Sequence, residues 1–239
     1  MAKPVRICLV GATGLIGGAL MRACVGRDDV RLVAVSRREC ALPPGARMEV
    51  LLADPANWGD AIAAARPDVV VSALGTTIRQ ANGDAAVFRS IDHDLVLDCA
   101  RWGIEAGARQ FIAVSSVGAD LQAKGLYLRV KGEVEAALGK TGYGRLDILR
   151  PGLLIGSREE RRPAERVGQI VAPLADLLLH GGARRFRSAR ADFVAEVILA
   201  LAHEKARGRF IHEHDAMHRA LRRRHLAVSI ARSVAGAVD

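Results

Sequence analysis

No apolar run in this chain reaches the roughly 18–20 residues that a helix needs to cross a bilayer; stretches such as Val197 to Ala202 are far too short. A membrane-spanning protein is therefore not expected. Aromatic residues are scarce, at 4% of the chain, and the basic clusters Arg184-Arg185 and Arg222-Arg223-Arg224 have none between their arginines. Base stacking has little to work with, so nucleic acid is not the expected partner despite a net charge of +9. The four cysteines (Cys8, Cys24, Cys40, Cys99) are scattered with no Cys-x-x-Cys pair and read as buried free thiols. Met1-Ala2-Lys3-Pro4 leads directly into an apolar stretch without the tripartite layout of an export signal, so a cytoplasmic location is expected. No internal repeat or low-complexity linker divides the chain.

What is present is a long hydrophobic supply: half of the 239 residues are apolar, enough for one large α/β domain. Short buried runs at Val5–Val10, Val30–Val35, Met48–Leu52, Val69–Val71, Phe111–Val114 and Leu146–Leu149 read as strands. Between them, Leu15–Val25, Trp58–Ala65, Val87–Ala106 and Tyr127–Leu138 carry helical periodicity. Strands that alternate with helices predict a Rossmann-type α/β fold, a doubly wound parallel sheet covered on both faces. After Arg150 the rhythm changes. Gly152 to Pro163 reads as a loop, Val167 to Leu179 as a helix interrupted at Pro173, Asp192 to Ala202 as another helix, and Arg209-Phe210-Ile211 as a short strand. One domain is expected over 1–221, with a small C-terminal substrate-side elaboration over about 152–221 and a basic tail over 222–239. Oligomeric state is left at monomer or homodimer.

The sharpest local signal follows the first strand. Gly11-Ala12-Thr13-Gly14-Leu15-Ile16-Gly17 has G-x-x-G-x-x-G spacing and opens the first helix. Glycines permit the tight turn and a close backbone approach to a pyrophosphate, and the helix start offers free N–H groups and the positive end of its dipole. A dinucleotide site built on Gly11, Thr13, Gly14, Leu15, Ile16 and Gly17 is expected. The second strand ends in Ser36-Arg37-Arg38. An acidic residue there would bind a ribose 2′-hydroxyl, whereas arginine accommodates a 2′-phosphate, so NADP(H) is favoured over NAD. Asp54 is placed to meet the adenine, and Ala73, Leu74 and Gly75 to border the cofactor ribose.

Tyr127 and Lys131 stand four apart on a predicted helix and so share one face. An ammonium beside a phenol stabilises its phenolate, which makes the phenol usable as a general acid or base. Ser115 and Ser116 end the fifth strand, at the carboxyl edge where α/β sheets place ligands, and a hydroxyl there can bind a substrate carbonyl.

Together, the glycine turn, Ser116, Tyr127-x-x-x-Lys131 and Arg150-Pro151-Gly152 resemble the atypical short-chain dehydrogenase/reductases. Leu74-Gly75-Thr76-Thr77, Asp92-His93-Asp94, Ser115 to Asp120 and Tyr127 to Glu135 are similar to the Tat-interacting protein family, over about Val5 to Ala202. The resemblance implies a Rossmann fold binding NADPH, with Ser116, Tyr127 and Lys131 in the catalytic positions. It further implies that Tyr127 moves the proton, Lys131 holds the nicotinamide ribose, Ser116 orients the substrate, and the loop Pro151-Gly152-Leu153 lies against the nicotinamide. The implied substrate is a small carbonyl compound or alcohol. A regulatory NADPH-binding protein acting through a protein partner, and an epimerase or isomerase with bound cofactor, are the alternatives. The asparagine of the standard short-chain proton relay has no match, since the chain holds only Asn57 and Asn82.

Three further features read as ordinary. Asp92-His93-Asp94 is expected to be a helix start with local charge pairs. The Arg158 to Arg162 run is expected to be a solvated loop, with a substrate lid as its alternative. His212, His214 and His218 are expected to be exposed residues after the last strand, with no metal.

Overall fold

The computed structural model describes residues 3–156 and 179–235. Seven parallel strands form one sheet: β1 (Val5–Val10), β2 (Val30–Ser36), β3 (Glu49–Leu52), β4 (Val69–Ser72), β5 (Gln110–Val114), β6 (Arg145–Leu149) and β9 (Gly208–His212). Their spatial order is β3-β2-β1-β4-β5-β6-β9. Because β1 leads outward to β2 on one side and β4 pairs on the other, the order reverses between β1 and β4. Open α/β sheets form their ligand crevice at the carboxyl ends of the strands at such a reversal. The Rossmann-like fold expected from the alternating runs is the fold observed.

Helices cover both faces. On one, α1 (Leu15–Ala23) and α6 (Ala191–Ala202) pack on Ile7, Leu9, Leu32, Ala34, Ile112 and Leu149. On the other, α2 (Trp58–Ala65), α4 (Leu95–Glu105) and α5 (Leu126–Leu138) pack on Cys8, Val10, Val33, Val35, Phe111 and Ile148. Successive strand residues point to opposite faces, so an unbroken apolar run such as Ile7-Cys8-Leu9-Val10 feeds both layers. Each large side chain removed from water here contributes about 1.5–3 kcal/mol before entropy is counted. Cys8, Cys24 and Cys99 are buried free thiols and Cys40 is half-buried. Burial pushes the Cys8 thiol up to about 12.

Three departures from the sequence reading matter for the site. The predicted single helix over Val87–Ala106 is broken into α3 (Ala85–Arg89), a π-helical turn (Ser90–Asp94) and α4. In the wide turn the Leu95 N–H reaches back to the Ser90 carbonyl, five residues away. A π-turn inserts an extra residue and re-aims the side chains inside it. The second departure is at the C-terminus, where α7 (His214–Ala235) runs unbroken through position 221, the expected start of a separate tail. Met217 and Ala220 are buried in the core before that position and Arg224 lies 2.9 Å from Asp29 after it, so the helix is anchored on both sides. Third, the expected loop from Gly152 contains a short strand, β7 (Leu154–Ile155), which pairs in parallel with β8 (Ala189–Arg190). The helix expected over Val167 to Leu179, apart from Leu179 itself, and the Arg158 to Arg162 run lie outside the described residues. Among the described residues, no helix is long and apolar enough to cross a membrane.

Candidate functional site: a dinucleotide cleft at the sheet's carboxyl edge

The glycine turn lies between β1 and α1. Gly11 takes a left-handed φ of +89°, and a Cβ there would lie 2.6 Å from the Ala73 backbone at the end of β4. A Cβ on Gly17 would lie 2.2 Å from the Gly11 carbonyl oxygen. These two glycines let the turn fold flat against the neighbouring strand end and let α1 start at once. The Gly14 N–H donates to the Gly11 carbonyl at 3.1 Å, closing the turn. Among the described residues no side chain caps α1, and its first turn holds no acidic residue. The orphan N–H groups of Leu15 and Ile16 are therefore left for an anion, supported by the helix dipole. Thr13 is exposed beside them.

Along the same edge, Ser36 ends β2 buried, and its hydroxyl donates to the Arg38 carbonyl at 2.7 Å, folding the turn that leaves Arg37 and Arg38 exposed. Asp54 is exposed after β3, and its carbonyl accepts the Asn57 N–H at 2.8 Å. Ala73, Leu74 and Gly75 continue from β4, held by the Ala73 N–H to the Val10 carbonyl at 2.9 Å.

Tyr127 and Lys131 share the face of α5 that meets this edge. Tyr127 is 38% exposed, whereas Lys131 is buried, its ammonium 5.9 Å from the Tyr127 ring centroid. A Cβ on Gly132 would come within 2.4 Å of the Asp120 carbonyl carbon, and the Asp120 N–H donates to the Leu128 carbonyl at 3.2 Å. That close approach pins the first turn of α5 beside the loop that carries Ser116. The Ser116 hydroxyl donates to the Val117 carbonyl at 3.3 Å, and the Val117 N–H donates to the Pro151 carbonyl at 3.0 Å. Pro151 is buried, Gly152 approaches the backbone of Phe186 and Arg187, and Leu153 is exposed.

Ser115, expected along the cofactor, turns its hydroxyl into the protein. Its hydroxyl donates to Glu135, a buried carboxylate on α5 that also takes two hydrogen bonds from the Arg150 Nε and one from its Nη2. A buried carboxylate needs donors, and the hydroxyl nearest to it is committed there.

Two sets of residues escaped the sequence reading. Asp92, taken as part of a helix start, is fully buried. It accepts the Thr76 N–H at 2.7 Å and lies 2.9 Å from the Lys131 ammonium. Gly75 borders the pair: a Cβ there would lie 3.7 Å from the Asp92 carboxylate. The break in the Val87–Ala106 periodicity at Ser90–Asp94, four polar residues in five, was the available signal. The second set corrects the histidine reading. His212 is not exposed but ends β9 buried, 2.8 Å from Asp147. His214 and His218 are half-buried with ring centroids 4.7 Å apart. No group of three metal-binding side chains occurs among the described residues.

Residues 11–205 match the family model described as NAD(P)H-binding. The chain belongs to the NAD(P)H-binding family. Curated relatives agree in extent. The chain is 35% identical over 173 residues to "Protein fmp52, mitochondrial" of Emericella nidulans, covering 70% of this chain and 74% of that one. It is 34% identical over 202 residues to "Protein FMP52, mitochondrial" of Eremothecium gossypii, covering 81% and 87%. These names overturn the expected cytoplasmic location. Among solved structures, the fold is similar to a putative NAD-dependent epimerase/dehydratase from Bacillus halodurans, with TM-score 0.64 and 21% identity over 86% of this chain and 92% of that one. It is also similar to the Bordetella bronchiseptica enzyme WbmH in complex with NAD+, with TM-score 0.66 and 12% identity over 87% and 75%. Membership of this family makes the chain an NAD(P)H-binding protein, and the uncapped α1 start offers free N–H groups of the kind a diphosphate takes.

Proposed function

We propose that the chain is an NADP(H)-dependent oxidoreductase of the short-chain dehydrogenase/reductase type, similar to the Tat-interacting proteins, acting on a small carbonyl compound or its alcohol. The carrying observation is a half-exposed tyrosine at the cleft with a buried, ion-paired lysine one turn further along the same helix. The cofactor supplies or accepts the hydride when bound. Tyr127 gives its phenolic proton to the carbonyl oxygen during reduction, or takes the hydroxyl proton during oxidation. Lys131 has three donor positions; one meets Asp92, and the others serve the ribose and the phenol oxygen. Ser116 turns its hydroxyl from the Val117 carbonyl to the substrate oxygen. NADP(H) is preferred because the exposed Arg37 and Arg38 after β2 offer guanidinium groups to a 2′-phosphate. Turnover of a carbonyl panel tests this: Tyr127→Phe is expected to lower kcat by roughly 10²–10⁴-fold, the usual worth of a positioned proton donor. An unchanged rate removes the phenol from the reaction.

A second reading has its own observation. The Asp92 carboxylate offsets the charge that Lys131 would lend to a phenolate. A site so balanced suits a protein that binds NADPH, turns over slowly and presents its cofactor state to a protein partner. Partner capture that depends on NADPH, with no turnover by wild type, favours this reading over the first.

A further inference from the structure

At the other end of the same sheet edge, beyond β9, a pocket of about 510 Å³ opens between the Gly181–Phe186 3₁₀ turn and the first turns of α7. Among the described residues, Arg184, Arg187, Arg219 and Arg222 line it with His214 and His218, and the one carboxylate in the lining is Asp215. That carboxylate is already engaged, 3.0 Å from His214 and 3.6 Å from Arg184. Four guanidinium groups around one concavity repel one another, and a single carboxylate leaves most of that charge uncompensated. The positive end of the α7 dipole adds to the field.

The pocket is also held in shape. The Arg187 Nε donates to the Leu179 carbonyl at 3.0 Å, and the His218 ring packs 4.4 Å from Phe193 of α6 and 4.7 Å from His214. Burial, with His214 and Arg222 nearby, holds His218 below the usual histidine range, against the pull of Asp215. The groups facing His218 are thus His214, Asp215 and Arg222 on α7, Arg184 on the 3₁₀ turn and the uncharged Phe193 ring on α6.

We propose that this pocket binds a phosphate-bearing small molecule at a site separate from the dinucleotide cleft. Planar guanidinium groups bind phosphate through paired hydrogen bonds, and four of them match a di- or triphosphate better than one carboxylate. Among the described residues no Phe, Tyr or Trp lines the pocket, so these walls offer no platform for nucleic-acid bases. It is distinct from the 2′-phosphate position proposed at Arg37. β2 and β9 are separated by β1, β4, β5 and β6, which places the two about 24 Å apart at ordinary strand spacing. The pocket nonetheless lies beside the loop after β6: Arg187 lines it, and a Cβ on Gly152 would meet the Arg187 and Phe186 carbonyl oxygens.

The test is a titration of the full chain with inorganic pyrophosphate at about 0.15 M salt, where distant charges are screened, following the His214 and His218 ring signals by NMR. Saturable shifts are expected, with His218 titrating at higher pH once the anion is bound. The double variant Arg219→Ala/Arg222→Ala changes two exposed residues and is expected to weaken pyrophosphate binding by roughly tenfold or more, with NADPH affinity preserved. Arg184→Ala, on the other wall, is expected to weaken it in the same direction. Shifts that do not saturate by on the order of 10 mM, or that are equal in wild type and both variants, overturn the proposal. A parallel arm uses phosphatidylcholine/phosphatidylserine vesicles. Vesicle binding lost in the double variant, without pyrophosphate binding, also overturns it in favour of a lipid surface.

Discussion

On the face of the sheet covered by α6, Asp147 sits among three donors; on the opposite face, Asp92 meets Lys131 and a single backbone N–H. Both carboxylates are fully buried and both face a buried cation. Arg145 binds Asp147 in a fork at 2.7 and 2.8 Å, while Gln110 donates at 2.8 Å and His212 lies at 2.8 Å. Two of these partners reach further groups. Arg145 also reaches the Ala206 carbonyl and stacks over Phe210, and Gln110 reaches the Leu201 carbonyl. This network stitches β5, β6 and β9 to α6, and it engages both Asp147 carboxylate oxygens, while the Gln110 Oε1 is buried without a partner among the described residues. The Asp92–Lys131 pair uses one of the three ammonium donors and stands beside Gly75, which has no side chain to cover it. A saturated buried pair is scaffold, and an unsaturated one at a strand end is chemistry waiting for a ligand.

Breaking the saturated network should have the largest effect. Asp147→Asn leaves the Arg145 charge buried without its counterion and is expected to cost roughly 3–5 kcal/mol. Urea denaturation measures it, and a loss under about 1 kcal/mol would deny the network its structural role. Asp92→Asn should cost less, about 2 kcal/mol, because the amide still accepts the Thr76 N–H and Lys131 lies at the cleft floor. The double variant Asp92→Asn/Lys131→Met should be more stable than Asp92→Asn alone, since no unpaired charge remains. Strict additivity of the two changes would show that the residues do not interact.

The smallest effect is the pH response of a third, peripheral cluster. There Asp29 lies 2.9 Å from Arg224 of α7, 3.0 Å from Arg27 and 3.1 Å from His203. The hydrogen bond from Arg27 holds Asp29 down to about 2. Its stabilisation is complete above the ordinary carboxylate range and is lost as pH falls from about 4. Burial lowers His203, so the folded state takes up its proton less readily than the unfolded chain does, and stability declines as pH falls below about 6.5. The cluster is partly exposed, so both contributions are small. His203→Gln should flatten the Tm profile between about pH 6.5 and 5; an unchanged slope would place the dependence elsewhere.

These contrasts mark where the sequence was legible. The glycine turn could be read because local backbone geometry dictates it: Gly11 needs a positive φ, and Gly17 has a carbonyl where its Cβ would be. The seven strands of the main sheet were readable from apolar runs, and Tyr127 and Lys131 from helical spacing. Asp92 was legible only in part: the polar run Ser90-Ile91-Asp92-His93-Asp94 interrupts the helical periodicity, but nothing in it says which of its two acids turns inward. Asp147 was hidden inside an apolar strand, and His212 looked like part of an exposed polar cluster. Asp147 pairs with Arg145 two residues away on the same strand, but what buries it and His212 comes from Gln110 and from each other, more than thirty-five residues away. Long-range satisfaction of a polar group leaves no local trace.

The account rests on a dinucleotide seated over the uncapped start of α1, with its 2′-phosphate on the Arg37 turn. Isothermal calorimetry with NADPH and NADH, on wild type and on Arg37→Asp, tests it most directly. Saturable NADPH binding is predicted, with the variant losing roughly tenfold or more for NADPH and far less for NADH. Equal loss for both cofactors would move the 2′-phosphate elsewhere, and no heat from either would contradict the cofactor site itself.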